Sequence, residues 1–158
     1  MKLKPIFYVE DDENDAFLMR LALKKCGIEN PLVTAADGQE AIDHLNSLLE
    51  DVKTQKNSLP GLVLLDLNLP RKTGHDVLQW IRQTPALRTL VVIVLSSSSH
   101  DYDIHRAYAF GANAYLVKPP VIDDLIETVK TVRDFWLKQN HAPPPFFVEP
   151  QPAEALAR

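Results

Sequence analysis

The sequence contains one cysteine, Cys26, which excludes an intramolecular disulfide and agrees with a reducing compartment. It has no run of Lys or Arg and a net charge of -4, so nothing suggests a nucleic-acid surface. Long hydrophobic runs are missing too: the longest, Leu90 to Leu95, is far too short to span a bilayer. Met1 to Pro5 lead into a strand without the apolar core of a signal peptide, so the protein is expected in the cytoplasm and off the membrane. The five histidines are scattered without zinc-ligand spacing, and no internal repeat is visible. What is present is a 46% hydrophobic content over 158 residues, enough for one domain with a sizeable core.

Short apolar runs alternate with segments of helical period. Ile6–Val9 reads as a first buried strand, Pro31–Ala35 as a second, and Leu62–Leu65, bounded by Pro60 and Gly61, as a third. Leu90–Leu95 is β-branched without alternation, as a central parallel strand should be, and Asn113–Lys118 is a fifth. Between them lie predicted helices from about Asn14 to Cys26, from the Asp37–Glu40 capping box onward, from Gly74 to Gln83, from Asp101 to Phe110, and from Ile122 to about Gln139. The polar stretch Glu50–Ser58 is expected to be a helix end and an exposed loop. Five strands alternating with five helices imply an α/β fold, a three-layer sandwich around a parallel sheet with right-handed crossovers. Residues 5–139 form this domain. Residues 140–158 are a proline-rich tail, holding five of the twelve prolines, too short and too extended to be an output module.

Open parallel sheets bind ligands at the C-terminal ends of their strands. Here those ends present Glu10 and Asp11, Asp66, Ser96 and Lys118. Clustered acids repel one another unless a divalent cation sits among them, and hard Mg²⁺ takes oxygen ligands. A carboxylate can attack phosphorus and hold the group as an aspartyl phosphate, while metal, ammonium and hydroxyl neutralise the equatorial oxygens. Asp12 and Glu13 are read as acids favouring a helix N-terminus, Ser97 to Ser99 as loop, and His75, His100 and His105 as solvated or capping residues.

With these residues in place the chain resembles a receiver domain of the two-component response-regulator family. The resemblance rests on the gaps Asp66 to Ser96 (30), Ser96 to Lys118 (22) and Tyr115 to Lys118 (3), on Asp66-Leu67-Asn68-Leu69-Pro70, and on Gly74 eight residues after Asp66. It implies the flavodoxin-like (βα)5 fold with strand order 2-1-3-4-5. It makes Asp66 the phosphoacceptor, Asp11 a direct Mg²⁺ ligand, Glu10 a ligand through water and Asn68 a ligand through its backbone carbonyl. It makes Ser96 and Tyr115 the switch pair, and Lys118-Pro119 a cis peptide that aims the lysine, although Pro120 makes an unusual double proline.

A receiver takes its phosphoryl group from a histidine kinase or phosphotransfer protein, acting on itself rather than on a classical substrate. The polar extension before the third strand and the proline-aromatic tail resemble the single-domain regulators that partner cyanobacterial phytochrome kinases. That narrower likeness implies a light-sensing kinase docking near Phe17 and Arg20. Tyr102, Tyr108, Phe135 and Trp136 are expected as aromatic anchors of an output face and homodimer, with Phe146 and Phe147 of the tail crossing to a partner or folding back. A phosphatase of the haloacid dehalogenase type is the weaker of two alternatives, since it needs a second acid where this chain has Asn68. The other is an unphosphorylated pseudo-receiver scaffold, which the intact acids, Ser96 and Lys118 oppose.

Overall fold

The computed structural model describes residues 2–54 and 57–144. The apolar runs form β1 (Ile6–Val9), β2 (Leu32–Ala35), β3 (Leu62–Leu65), β4 (Val92–Ser96) and β5 (Ala114–Val117). Between them stand α1 (Glu13–Lys25), α2 (Gly38–Lys53), α3 (Gly74–Gln83), α4 (Asp101–Ala109) and α5 (Ile122–Val132). All strand pairs are parallel and the order is β2-β1-β3-β4-β5, the flavodoxin-like arrangement expected from the sequence.

Alternation along the strands divides the core in two. Phe7, Val9, Val63, Leu65 and Val92 face α2 and α3, where Ala41, Leu45, Val77, Leu78 and Ile81 close over them. Ile6, Tyr8, Leu62, Leu64, Ile93 and Leu95 face the other way, toward Met19, Ala22 and Leu23 of α1 and Leu125 and Val129 of α5. The α4 side is thinner: Ala107 is the one buried residue of that helix, packed with Leu67 and Val94.

The helix starts follow from their caps. Asp12 accepts the Asp15 N–H at 3.0 Å, and Asp37 accepts the Glu40 N–H at 2.8 Å while Glu40 reaches back to the Ala36 N–H at 3.1 Å. At the other end, α5 stops at Val132 and the chain continues as a π-helical segment, Arg133–Gln139, in place of the single helix expected to Gln139. The wider turn lets the neighbouring pair Trp136 and Leu137 both pack on the α1 side of the core. Trp136 is partly buried there, so of the four expected aromatic anchors it offers the output face the least surface. Among the described residues no helix is long and apolar enough to cross a membrane.

Candidate functional site

β1, β3, β4 and β5 are successive in the sheet, so the residues following them share one rim. The Glu10 N–H donates to the Ala35 carbonyl at 2.9 Å, and the Asp66 N–H donates to the Val9 carbonyl at 3.1 Å, so each acid is tied by its backbone to the adjacent strand. Glu10, Asp11 and Asp66 bring carboxylate oxygens to within 4.8 Å of one another. Glu10 and Asp66 are buried and Asp11 is exposed. Glu10 also accepts from the Tyr8 hydroxyl and from the Asp12 N–H, each at 3.1 Å.

The loop after Asp66 is clamped on both sides by glycines. A Cβ on Gly74 would lie 2.1 Å from the Asp66 carbonyl oxygen, and one on Gly38 would lie 2.0 Å from that of Lys72, so only glycine permits either approach. Between them Arg71 adopts a left-handed conformation, φ 65°, and its guanidinium donates to Asp37 at 3.3 Å.

Lys118 closes the site from β5. Its ammonium donates to Glu10, to Asp66 at 3.1 Å and to Asp15 at 3.1 Å. Burial works to lower its pKa, but the hydrogen bond to Glu10 and the charges of Asp66 and Glu10 outweigh it and hold the lysine well above its ordinary value. Burial also raises Glu10, with Lys118 opposing, and raises the Tyr8 phenol, with Glu10 adding to the effect. The result is an ammonium that stays charged among an excess of carboxylates.

The cis peptide expected before Pro119 is not found: among the described residues every peptide bond is trans. Trans is the intrinsically favoured isomer even before proline, and the long lysine stem reaches all three acids from it.

Ser96 is fully buried at the end of β4, its hydroxyl accepting the Ser98 N–H at 3.3 Å and its carbonyl accepting the Lys118 N–H at 2.8 Å. The Tyr115 hydroxyl donates to the Ser98 carbonyl at 2.8 Å, and its ring packs on Leu67, Val94 and Ala107. Asn68 is exposed, and its backbone N–H donates to Asp66 at 3.4 Å. Phe17 and Arg20 are exposed on α1, with Arg20 3.5 Å from the Thr34 hydroxyl. Tyr102, Tyr108 and Phe135 are exposed; Phe146 and Phe147 lie outside the described residues.

Sequence reasoning missed three residues. Asp15 is one of them: it lies in the first turn of α1, next to the acids Asp12 and Glu13 read as helix-start residues, and its carboxylate accepts from Lys118. Ser98, which is loop as expected and flanks the site, is missed only in its partner: it donates to Asp103 at 2.6 Å and so fastens the β4 end to α4. His75 is buried rather than solvated, its ring edge against Phe110 at 5.8 Å, because α4 covers the start of α3.

The donor set suits a hard divalent cation. It is all oxygen, it is anchored on two neighbouring strands, and its charge exceeds what the single ammonium balances. Glu10, Asp11 and Asp66 are the side chains that would hold Mg²⁺ or Mn²⁺.

The family model for the response regulator receiver domain matches residues 6–130. The chain is 39% identical over 140 residues to the probable methanogenesis regulatory protein FilR2 of Methanothrix harundinacea, covering 89% of this chain and 88% of that one. It is 36% identical over 135 residues to response regulator Rcp1 of Synechocystis sp., covering 85% and 90%. The phosphorylated cyanobacterial phytochrome response regulator RcpA superposes with a TM-score of 0.80 at 37% identity, covering 90% of this chain and 99% of that one. The Mn²⁺-bound form of Rcp1 gives 0.76 at 34%, covering 89% and 99%. Sequence, strand order and the acid-lysine rim thus agree, and the chain belongs to the response regulator receiver domain family, with cyanobacterial phytochrome response regulators among its relatives.

Proposed function

We propose that this receiver accepts a phosphoryl group on Asp66 in a Mg²⁺-dependent reaction and passes the signal on through protein contacts. The observation that carries the reading is Lys118, held between Asp66 and Glu10 beside Asp11 at the strand ends. An Asp66 oxygen forms the new bond to phosphorus as the donor's P–N bond, or the P–O bond of a small acyl phosphate, breaks, and the leaving group departs with the electron pair. A bound Mg²⁺ supplies charge neutralisation for the phosphoryl oxygens. Lys118 turns its ammonium to one of those oxygens, and the Ser96 hydroxyl donates to another. Tyr115 follows Ser96 inward, and Asn68 adds its carbonyl to the metal site.

The donor in this reading is a histidine kinase of the phytochrome type. The likeness to RcpA and Rcp1 supports it, and Phe17 and Arg20, exposed on α1 below the acids, offer the docking surface. Output goes through the face of α4, β5 and α5, where Tyr102, Tyr108 and Phe135 expose aromatic surface suited to a homodimer or another protein partner.

The test is intact mass after incubation with Mg²⁺ and acetyl phosphate. One phosphoryl adduct on the wild type and none on Asp66→Asn is the expected outcome. An adduct retained by the variant would place the acceptor elsewhere, and none on either would favour an unphosphorylated scaffold.

A further inference from the structure

Lys118 is shared by three carboxylates of unequal standing. Glu10 and Asp66, with side chains 1% and 7% exposed, belong to the acid trio at the strand ends. Asp15, 40% exposed, does not belong to it, yet its Oδ2 lies 3.1 Å from the same ammonium, as near as Asp66. Its place is well determined. Asp15 stands in the first turn of α1, its N–H bound by the Asp12 cap, and its carboxylate faces β5 across the mouth of the site.

This arrangement answers a conflict within the site. The oxygens that Lys118 occupies, Oε2 of Glu10 and Oδ2 of Asp66, belong to two of the residues that fit a divalent cation. An ammonium and a dication on the same carboxylates repel, so binding of a cation weakens the hold of Glu10 and Asp66 on Lys118. Loosening without another partner would leave a charge unpaired in a largely buried position, the ammonium-bearing side chain being only 14% exposed. Asp15 removes that cost, because the lysine keeps one carboxylate and stays beside Asp66.

We propose that Asp15 is a positioning residue that retains Lys118 at the site while Glu10 and Asp66 serve the metal. The inference rests on the Mg²⁺-dependent reading of the site given above. Because Asp15 acts through Lys118, its effect on metal affinity should depend on that lysine being there.

The experiment is calorimetric titration of Mg²⁺ into the full chain without phosphodonor, for wild type, Asp15→Asn, Asp15→Glu, Lys118→Ala and the Asp15→Asn/Lys118→Ala pair. The cap that starts α1 uses the backbone of residue 15, so the Asn variant keeps it. Asp15→Asn should raise the Mg²⁺ Kd by about three- to tenfold, the range of one coupled pair, with Asp15→Glu recovering most of the loss. In the Lys118→Ala background the same Asn substitution should change Kd by less than about twofold. At saturating Mg²⁺, Asp15→Asn should also form the acetyl phosphate adduct about three- to tenfold more slowly, because Lys118 is no longer held beside Asp66, and Asp15→Glu should recover most of that rate. A wild-type Kd in Asp15→Asn overturns the proposal. So does an equal loss in both backgrounds, which would make Asp15 a charge felt directly by the cation. A wild type that binds no Mg²⁺ overturns the metal reading together with this one, whereas the Asp66→Asn adduct experiment fails or succeeds without reference to Asp15.

Discussion

β3 and β5 each deliver one charge of the central ion pair, and they hold it differently. β3 is paired on both sides, by β1 and β4, and all four of its residues are buried. β5 pairs with β4 alone at the sheet edge; three of its residues are half-buried and Val117 is 45% exposed. Asp66 is thus placed by the core, with its backbone tied to Val9 and Gly74 pressed beneath it. Lys118 is placed by one backbone hydrogen bond to Ser96 and by the acids themselves. The acids form the fixed half of the site, and Lys118 and Tyr115, which answer a new phosphoryl group in the reading proposed above, sit on the half at the sheet edge.

Gly74→Ala should break the fixed half and have the largest effect on stability. The added Cβ would meet backbone, 2.1 Å from the Asp66 oxygen, 2.6 Å from the Leu67 Cα and 2.9 Å from the Asp66 carbonyl carbon, and no side-chain rotation relieves it. We expect a loss of about 3 kcal/mol in urea unfolding, with weakened Mg²⁺ binding because Asp66 has to shift. Val117→Ala, on the exposed edge, should cost no more than about 0.5 kcal/mol. Equal costs for the two would show that the acids are not held by this packing.

His75 stands at the seam between the two halves, directly after Gly74 in α3 and under α4. It is 7% exposed, and its Nε2 is the one fully buried side-chain polar atom without a hydrogen-bond partner among the described residues. Burial lowers its pKa, and Arg106 of α4 adds to the effect, against Asp103 of α4 and Asp76 of its own helix. A depressed folded value means that the neutral imidazole is the folded form. Its stability is then complete above the unfolded value of about 6.5 and is lost as pH falls through the lower folded value. His44, lowered by burial beside Phe7, acts in the same direction. His75→Leu should stabilise the chain by about 1 kcal/mol at pH 7.5 and flatten the loss at pH 5.5, leaving the share due to His44. An unchanged acid slope in urea unfolding would assign the whole effect to other groups.

The same division explains what was legible in the sequence. Residues held by local pattern were readable: β1 from its apolar run, β3 from one bounded by Pro60 and Gly61, α3 from helical spacing that stops before Pro85, and the trio of acids from their place just after buried strands. Residues defined by distant partners were not. Asp15 meets Lys118 across 103 positions, and nothing around Asp15 separates it from the capping acids before it. The surroundings of His75 come from α4, and the π-helical turn at Arg133–Gln139 is not announced by helical periodicity, although that periodicity does put Trp136 on the face of Leu125, Val129 and Val132. At Pro119 the family resemblance pointed to a cis bond, and the chain has a trans one.

Tyr115→Phe sharpens the comparison from the sheet-edge side and should have a small effect, well below that of Gly74→Ala. The hydroxyl donates to the Ser98 carbonyl at 2.8 Å in a partly buried setting, while the ring packs on Leu67, Val94 and Ala107. Phenylalanine keeps the ring contacts, and the half-buried tyrosine position leaves water a route to the freed carbonyl. The expected cost is therefore one modest hydrogen bond, about 0.5–1 kcal/mol in urea unfolding. The acetyl phosphate adduct on Asp66 should still form, since the Tyr115 hydroxyl touches none of the acids. A loss above about 2 kcal/mol exceeds what one neutral hydrogen bond contributes. It would mean that Tyr115 pins β5 and α4 together as firmly as Gly74 and Val9 pin Asp66, and that the edge of the sheet is no freer than its centre.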